Sequence, residues 1–111
     1  MSDGLTLDDL SVPLRALRLL AVDFGHLPAP AVRVTTIWPD RLELDFHEDL
    51  AGFEAWRDAL GIVPDAVTHD TQSGGRTRVL RTTTEYAGAT LELVGYGHIP
   101  TPAPAVAGAV A

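Results

Sequence analysis

The sequence contains no cysteine, no lysine and no asparagine. Without cysteine there is no disulfide, no thiolate metal site and no thiol nucleophile. Without lysine no Schiff base can form, and all eight basic residues are arginine. Without asparagine there is no N-glycosylation acceptor. Aromatic residues are scarce, at 6%, which leaves few rings on which a nucleobase could stack. Positive charge is also short: the net charge of −7 repels phosphate backbones and anionic lipid. No apolar run approaches the roughly 20 residues that a membrane helix needs. The opening MSDGLTLDDL is acidic where a signal peptide would be basic and then apolar. The expected compartment is therefore the cytoplasm, with no membrane as partner.

What is present suffices for a folded domain. A hydrophobic fraction of 46% over 111 residues argues against disorder and for a single core. Residues 1–10 are expected to be a flexible N-terminus, 11–99 one α+β domain, and 100–111 a flexible Pro/Ala-rich tail. Ser11 and Pro13 begin a helix whose stripe is Leu14, Leu17, Leu20 and Phe24, with Gly25 as its stop. An alternative start lies at Thr6, with Asp8 and Asp9 in the first turn. Residues 31–38 (AVRVTTIW) are β-branched and read as a strand, and Pro39-Asp40 as a turn. Residues 41–47 (RLELDFH) alternate, with Leu42, Leu44 and Phe46 inward and Arg41, Glu43, Asp45 and His47 outward. The parity of Val32 and Val34 conflicts with that of Ile37, which a bulge at Thr35-Thr36 would reconcile.

Glu48 or Asp49 then caps a second helix to about Leu60, with Leu50, Phe53, Trp56, Arg57 and Leu60 on its inner side and Gly61 as its stop. Residues 63–75 read as the longest loop. Two strands follow, 76–86 and 89–99, joined by Ala87-Gly88. The order α-β-β-α-β-β predicts a two-layer sandwich: a four-stranded antiparallel sheet with both helices on one face. This is a permuted ferredoxin-like arrangement with strand order 1-2-4-3, the alternative being a simple meander sheet. The other face is left open, carrying Arg41, Glu43, Asp45, His47, Glu92 and Tyr96.

No motif carries a defined chemistry. His47-Glu48-Asp49 has the elements of an acid/base or metal site, but carboxylates at that position cap a helix. His69-Asp70 has the elements of a hydrolytic dyad, yet no G-x-S-x-G elbow accompanies it. The four histidines, His26, His47, His69 and His98, form no H-x-x-x-H pair. The turn QSGGR lacks the spacing and the lysine of a phosphate-binding loop. No catalytic residue, metal or cofactor is assigned, and the balance is against an enzyme.

Two stretches, TIWPDRLELDFHEDLAGFEAWRDALGI and VTHDTQSGGRTRVLRTT, resemble small actinobacterial proteins of no assigned activity, of the kind carried by phages or integrative elements. The resemblance spans Leu14 to Ile99 and implies no activity and no residue role.

The resulting expectation is a small acidic interaction domain that binds a protein partner or itself through the open sheet face or an edge strand. Its binding surface would comprise Trp38, Glu43, Asp45, His47, Arg76, Arg78 and Tyr96. Residues 40–58 carry seven carboxylates against two arginines, which suits a basic partner. One alternative is a small enzyme using His69 and Asp70. Another is nucleic-acid binding through the arginine-rich strand of Arg76, Arg78 and Arg81, which the acidic balance disfavours.

Overall fold

The alternation at residues 41–47 builds the middle of the molecule. Leu42, Leu44 and Phe46 are buried against two helices, and every other side chain of that strand turns to the opposite face. The computed structural model describes residues 4–99; the tail expected from 100 onward, and the first three residues, lie outside them. A 3-10 turn (Leu7–Leu10) runs directly into α1 (Ser11–Asp23). Thr6 rather than Ser11 opens this segment, with its N–H donating to the Asp9 carboxylate at 2.8 Å, so the helical path begins at Leu7. The chain continues through β1 (Ala31–Arg33), β2 (Arg41–His47) and α2 (Leu50–Ala59). After a second 3-10 turn (Pro64–Ala66) come β3 (Thr68–Gln72), β4 (Thr77–Tyr86) and β5 (Ala89–His98).

Among the described residues the sheet therefore has five strands in the order β1-β2-β5-β4-β3, and it is mixed. This corrects the expected four-stranded antiparallel sheet. The neighbours 1-2-4-3 of the four anticipated strands are present, but β2 and β5 pair parallel, Arg41 opposite Thr90 through His47 opposite Tyr96. The unanticipated β3 explains the change. It pairs antiparallel with β4, and β4 with β5, so β3 runs in the same direction as β2. Each hairpin reverses the chain, and one additional strand between α2 and β4 reverses the direction of everything after it. β3 is polar (THDTQ) and exposed along its length, so no hydrophobic alternation announces it.

The first strand is shorter than its β-branched composition suggests. Only Ala31–Arg33 pair with β2, and Val34–Asp40 leave the sheet as a connection that closes with Arg41 N–H donating to Trp38 O around Pro39-Asp40. No bulge is needed at Thr35-Thr36, because the strand has ended.

Both helices pack on one face. α1 contributes Ala16 and Leu20, with Leu17 and Phe24 partly buried; Leu14, expected in this stripe, is exposed because the stripe is rotated toward Pro13 and Ala16. α2 contributes Phe53 and Trp56. Phe46 meets Phe53 edge-on at 6.2 Å between centroids, and Trp56 lies 6.0 Å from Phe24. Each large apolar side chain withdrawn from water contributes about 1.5–3 kcal/mol before the entropy cost of ordering it. The one polar atom of the Trp56 ring is satisfied, with Nε1 donating to Pro28 O at 2.7 Å. Arg57 lies at the edge of this layer, bonded to Glu54 and to the Ile62 carbonyl.

The strand-to-helix corner resolves the two capping candidates. Asp49 Oδ1 accepts from Gly52 N–H at 2.9 Å and is the cap. Glu48 is the corner itself, in the left-handed region at φ 55°, with its N–H donating to Tyr96 O. That conformation costs a non-glycine residue about 1–2 kcal/mol, and asparagine tolerates it better. Because Glu48 is exposed, Glu48→Asn should raise stability by about 0.5–1 kcal/mol, read as a higher urea midpoint at unchanged slope.

Candidate binding face

The open side of the sheet is built in rows set by strand register. One row runs Arg33, Glu43, Glu92 and Thr83; the next runs Ala31, Asp45, Val94 and Arg81; a third joins His47, Tyr96 and Val79. Among the described residues no helix covers this side, yet Asp45 is only 3% exposed and Glu92 only 5%. Arginines do the covering. Arg33 Nη2 donates to Glu43 Oε2 at 3.0 Å and its Nε to Asp45 Oδ2 at 3.2 Å. Glu92 accepts from two sides, Arg41 Nη1 at 3.3 Å and Arg81 Nη1 at 3.0 Å. Three guanidiniums thus neutralise three carboxylates, and their alkyl stems shield the strand beneath.

Two aromatic side chains frame the row. The Arg41 guanidinium lies over the Trp38 ring, 4.9 Å from its centroid. The His47 ring is stacked on Tyr96 with centroids 4.9 Å apart and planes within 1° of parallel. Trp38 is 57% exposed and its neighbour Ile37 74%, so the β1–β2 connection presents apolar surface beside the ionic network.

One part of the network is out of balance. Asp45 Oδ1 is buried and has no hydrogen-bond partner among the described residues. The Glu43 carboxyl two positions earlier is held above the ordinary glutamate range, first by burial and then by its contact with the Asp45 carboxylate, and Arg33 opposes the rise without cancelling it. A protonated Glu43 can donate to Asp45, which an ionised one cannot. Raised in the folded state, the Glu43 pKa gives a contribution that is fully present below its unfolded value and is lost as pH climbs through the folded one. Glu43→Gln should therefore be more stable than the parent at neutral pH. The difference should close as pH falls below about 4, where the Glu43 carboxyl of the parent is protonated in both the folded and the unfolded state. Denaturant titrations across that range measure it.

The anticipated site residues divide. Glu43, Asp45, His47 and Tyr96 share the open side, as their alternation implied, and Trp38, in the β1–β2 connection, lines a cleft there with Glu43. Arg78 does not: it pairs with Gly97 in β4, so its side chain belongs to the helix side, and the face takes Arg81 instead. Arg76 lies in the turn before β4, its carbonyl accepting from Ile99 N–H. The arginine strand is thus split between a turn and two faces. Nor are Glu43 and Asp45 a free acidic surface, because both are paired with Arg33, while Glu54 is paired with Arg57. The residue that the sequence reading left out is Arg33, and Arg81 entered it only through the nucleic-acid alternative, not as part of this face. Arg81 has the parity of Val79, a signal that the competing parity of Arg76 and Arg78 obscured.

His69 and Asp70 are consecutive residues of β3, so their side chains leave opposite faces of the sheet. They share a shallow hollow with Thr71 and Arg78, but Asp70 Oδ1 is engaged by Thr71 N–H at 2.8 Å and no bond joins it to His69. Among the described residues, no three His, Asp or Glu side chains form a group that could hold a metal ion, and no helix is long and apolar enough to cross a membrane.

Comparison with known proteins brings no relative to this arrangement: no family model, no curated protein and no solved structure matches the chain.

Proposed function

We propose that this chain is a small non-catalytic interaction domain of the cytoplasm that docks a protein surface on the open side of its sheet, a second copy being the first occupant to test. One observation carries the reading: Trp38, Tyr96, Arg33, Arg41 and Arg81 are gathered on one side, held by ion pairs, a cation–π contact and a stacked ring. Trp, Tyr and Arg are the residues that dominate interface energetics, and side chains already held in place lose less entropy on binding. The edges suit docking less well. β1 is entered through Pro28 and Pro30, which have no N–H to offer, and the Asp70 carboxylate occupies the Thr71 N–H of β3 that an added strand would need.

Sedimentation velocity over a concentration series, on the parent and on Trp38→Ala and Tyr96→Ala, tests self-docking. The expected result is a concentration-dependent dimer that both substitutions dissociate. A parent monomeric up to about 100 μM, far above the dissociation constant of an ordinary specific interface, removes the self-docking form. If, in addition, a photo-crosslinking residue at position 37 captures no protein in cells, the reading itself fails.

A further inference from the structure

The near end of this face holds a cleft of about 260 Å³ between the β1–β2 connection and the sheet, lined by Arg33, Thr35, Ile37, Trp38, Arg41 and Glu43. We propose that this cleft binds an organic monocarboxylate, its charged end held between the Arg33 and Arg41 guanidiniums and its apolar body laid against Trp38 and Ile37. The assignment rests on the reading of this side as a binding surface and names a chemistry for one part of it.

The hydrogen-bond count supports it. A guanidinium has five N–H groups. Arg33 uses Nε and Nη2 on Asp45 and Glu43, and Arg41 uses Nη1 on Glu92. Arg33 Nη1 and Arg41 Nη2 therefore have no protein acceptor among the described residues, and both arginines line the same cleft. A carboxylate is the acceptor whose two oxygens suit paired guanidinium donors. The opposite wall is apolar and exposed, which an ion lacking an organic body would leave uncovered. The volume is below the roughly 300–1,000 Å³ of sites for drug-sized ligands, so the occupant is a fragment-sized acid or one residue of a longer chain.

Charge decides when the cleft is receptive. With all groups ionised, Arg33, Arg41 and Arg81 balance Glu43, Asp45 and Glu92, and an entering anion competes with Glu43 for Arg33. Glu43 is faced by Arg33 from β1, by Arg41 and Asp45 along β2, and by Glu92 from β5, with uncharged Thr83 beyond it in β4. Once Glu43 takes a proton, this set carries one net positive charge and Arg33 is released toward the ligand. Binding should strengthen as pH falls through the raised Glu43 range.

The test is NMR titration of the full chain with phenylacetate, following the Trp38 indole N–H and the Arg33 and Arg41 Nε–H signals. Saturable shifts of all three are expected, with a dissociation constant of about 1 mM at neutral pH. Phenylacetamide, which lacks the charge, and acetate, which lacks the body, should each bind about tenfold more weakly. Arg41→Gln should weaken phenylacetate by about tenfold, and Glu43→Gln should tighten it about threefold at neutral pH, the gain narrowing as pH falls through the raised Glu43 range while phenylacetate is still ionised. The gain in Glu43→Gln separates this site from a fold effect, since an unfolded variant cannot bind better. No saturable shift up to about 10 mM, or an equal response to phenylacetamide, overturns the proposal. A tripeptide ending in phenylalanine, with a free or an amidated C-terminus, identifies the source. Tighter binding of the free-acid peptide than of phenylacetate supports a peptide carboxyl terminus, and its exclusion while phenylacetate binds supports a free small acid. Loss of the dimer and the crosslink with phenylacetate binding intact removes the docking reading alone; the reverse removes the cleft alone.

Discussion

Gly95→Ala is expected to lower the free energy of unfolding by about 1–3 kcal/mol, the range for an added methyl that a packed core cannot accommodate. Gly95 faces the helix layer from β5, opposite Phe46. A methyl group there would stand 3.0 Å from Leu50 Cδ2 and 3.1 Å from the Phe53 ring. Leu50 is partly buried and can turn a rotamer, but Phe53 is fully buried and fixed edge-on against Phe46, so the ring or the helix must move. Gly97, one pleat further along, brings Leu50 closer still. The two glycines are where α2 rests on the sheet. The mechanism is steric, and a partner substitution should relieve it: Gly95→Ala in a Phe53→Leu background should cost less than in the parent. Urea unfolding of the four proteins in that cycle gives the coupling directly. Equal costs in both backgrounds would contradict the steric account.

Glu92→Ala is the second large effect, expected at about 2 kcal/mol. Removing one partner of a fully buried ion pair costs about 3–5 kcal/mol, because the other charge remains buried. Here the remaining partners are Arg41 and Arg81, whose side chains are 33% and 49% exposed, so they regain water and the cost falls. Part of the loss comes from packing, since the Glu92 side chain is buried beside the two guanidiniums. Glu92→Gln should restore much of it by keeping the volume and one acceptor. If Glu92→Ala proves neutral, the arginine cover is ornamental and the face is far softer than its geometry suggests.

The substitutions differ in how visible their reasons are in the sequence. The alternation of Leu42, Leu44 and Phe46 is a period-two signal, and it located both the buried face and the row of Glu43, Asp45 and His47. Gly95 and Gly97 could be placed inward by parity, but their contact with α2 depends on tertiary distance. β3 escaped notice because a polar edge strand is specified by its pairing partner, and Thr68–Gln72 have no alternation of their own. From that one omission followed the error in strand direction. The candidate face was partly legible. Parity put Glu43, Asp45, His47 and Tyr96 together, whereas the pairing of Arg33 with Glu43 and of Arg81 with Glu92 depends on register between segments far apart in the chain. An excess of acid in a window of sequence says nothing about the arginines that fold onto it.

The parallel pairing of β2 with β5 also has a consequence for the order in which the molecule can be made. β4 and β5 are joined by the two-residue turn at Ala87-Gly88, and that hairpin can close within microseconds of its own accord. β2 has only the three-residue β1 as a local neighbour: its long partner begins at Ala89, and the intervening chain must first be looped out. On the ribosome, the first half of the domain, with β2 and both helices, is synthesised before any residue of that partner exists. The edge of β2 that faces β5 therefore stays unpaired until the last strand emerges, although the helices that cover Leu42, Leu44 and Phe46 are already present.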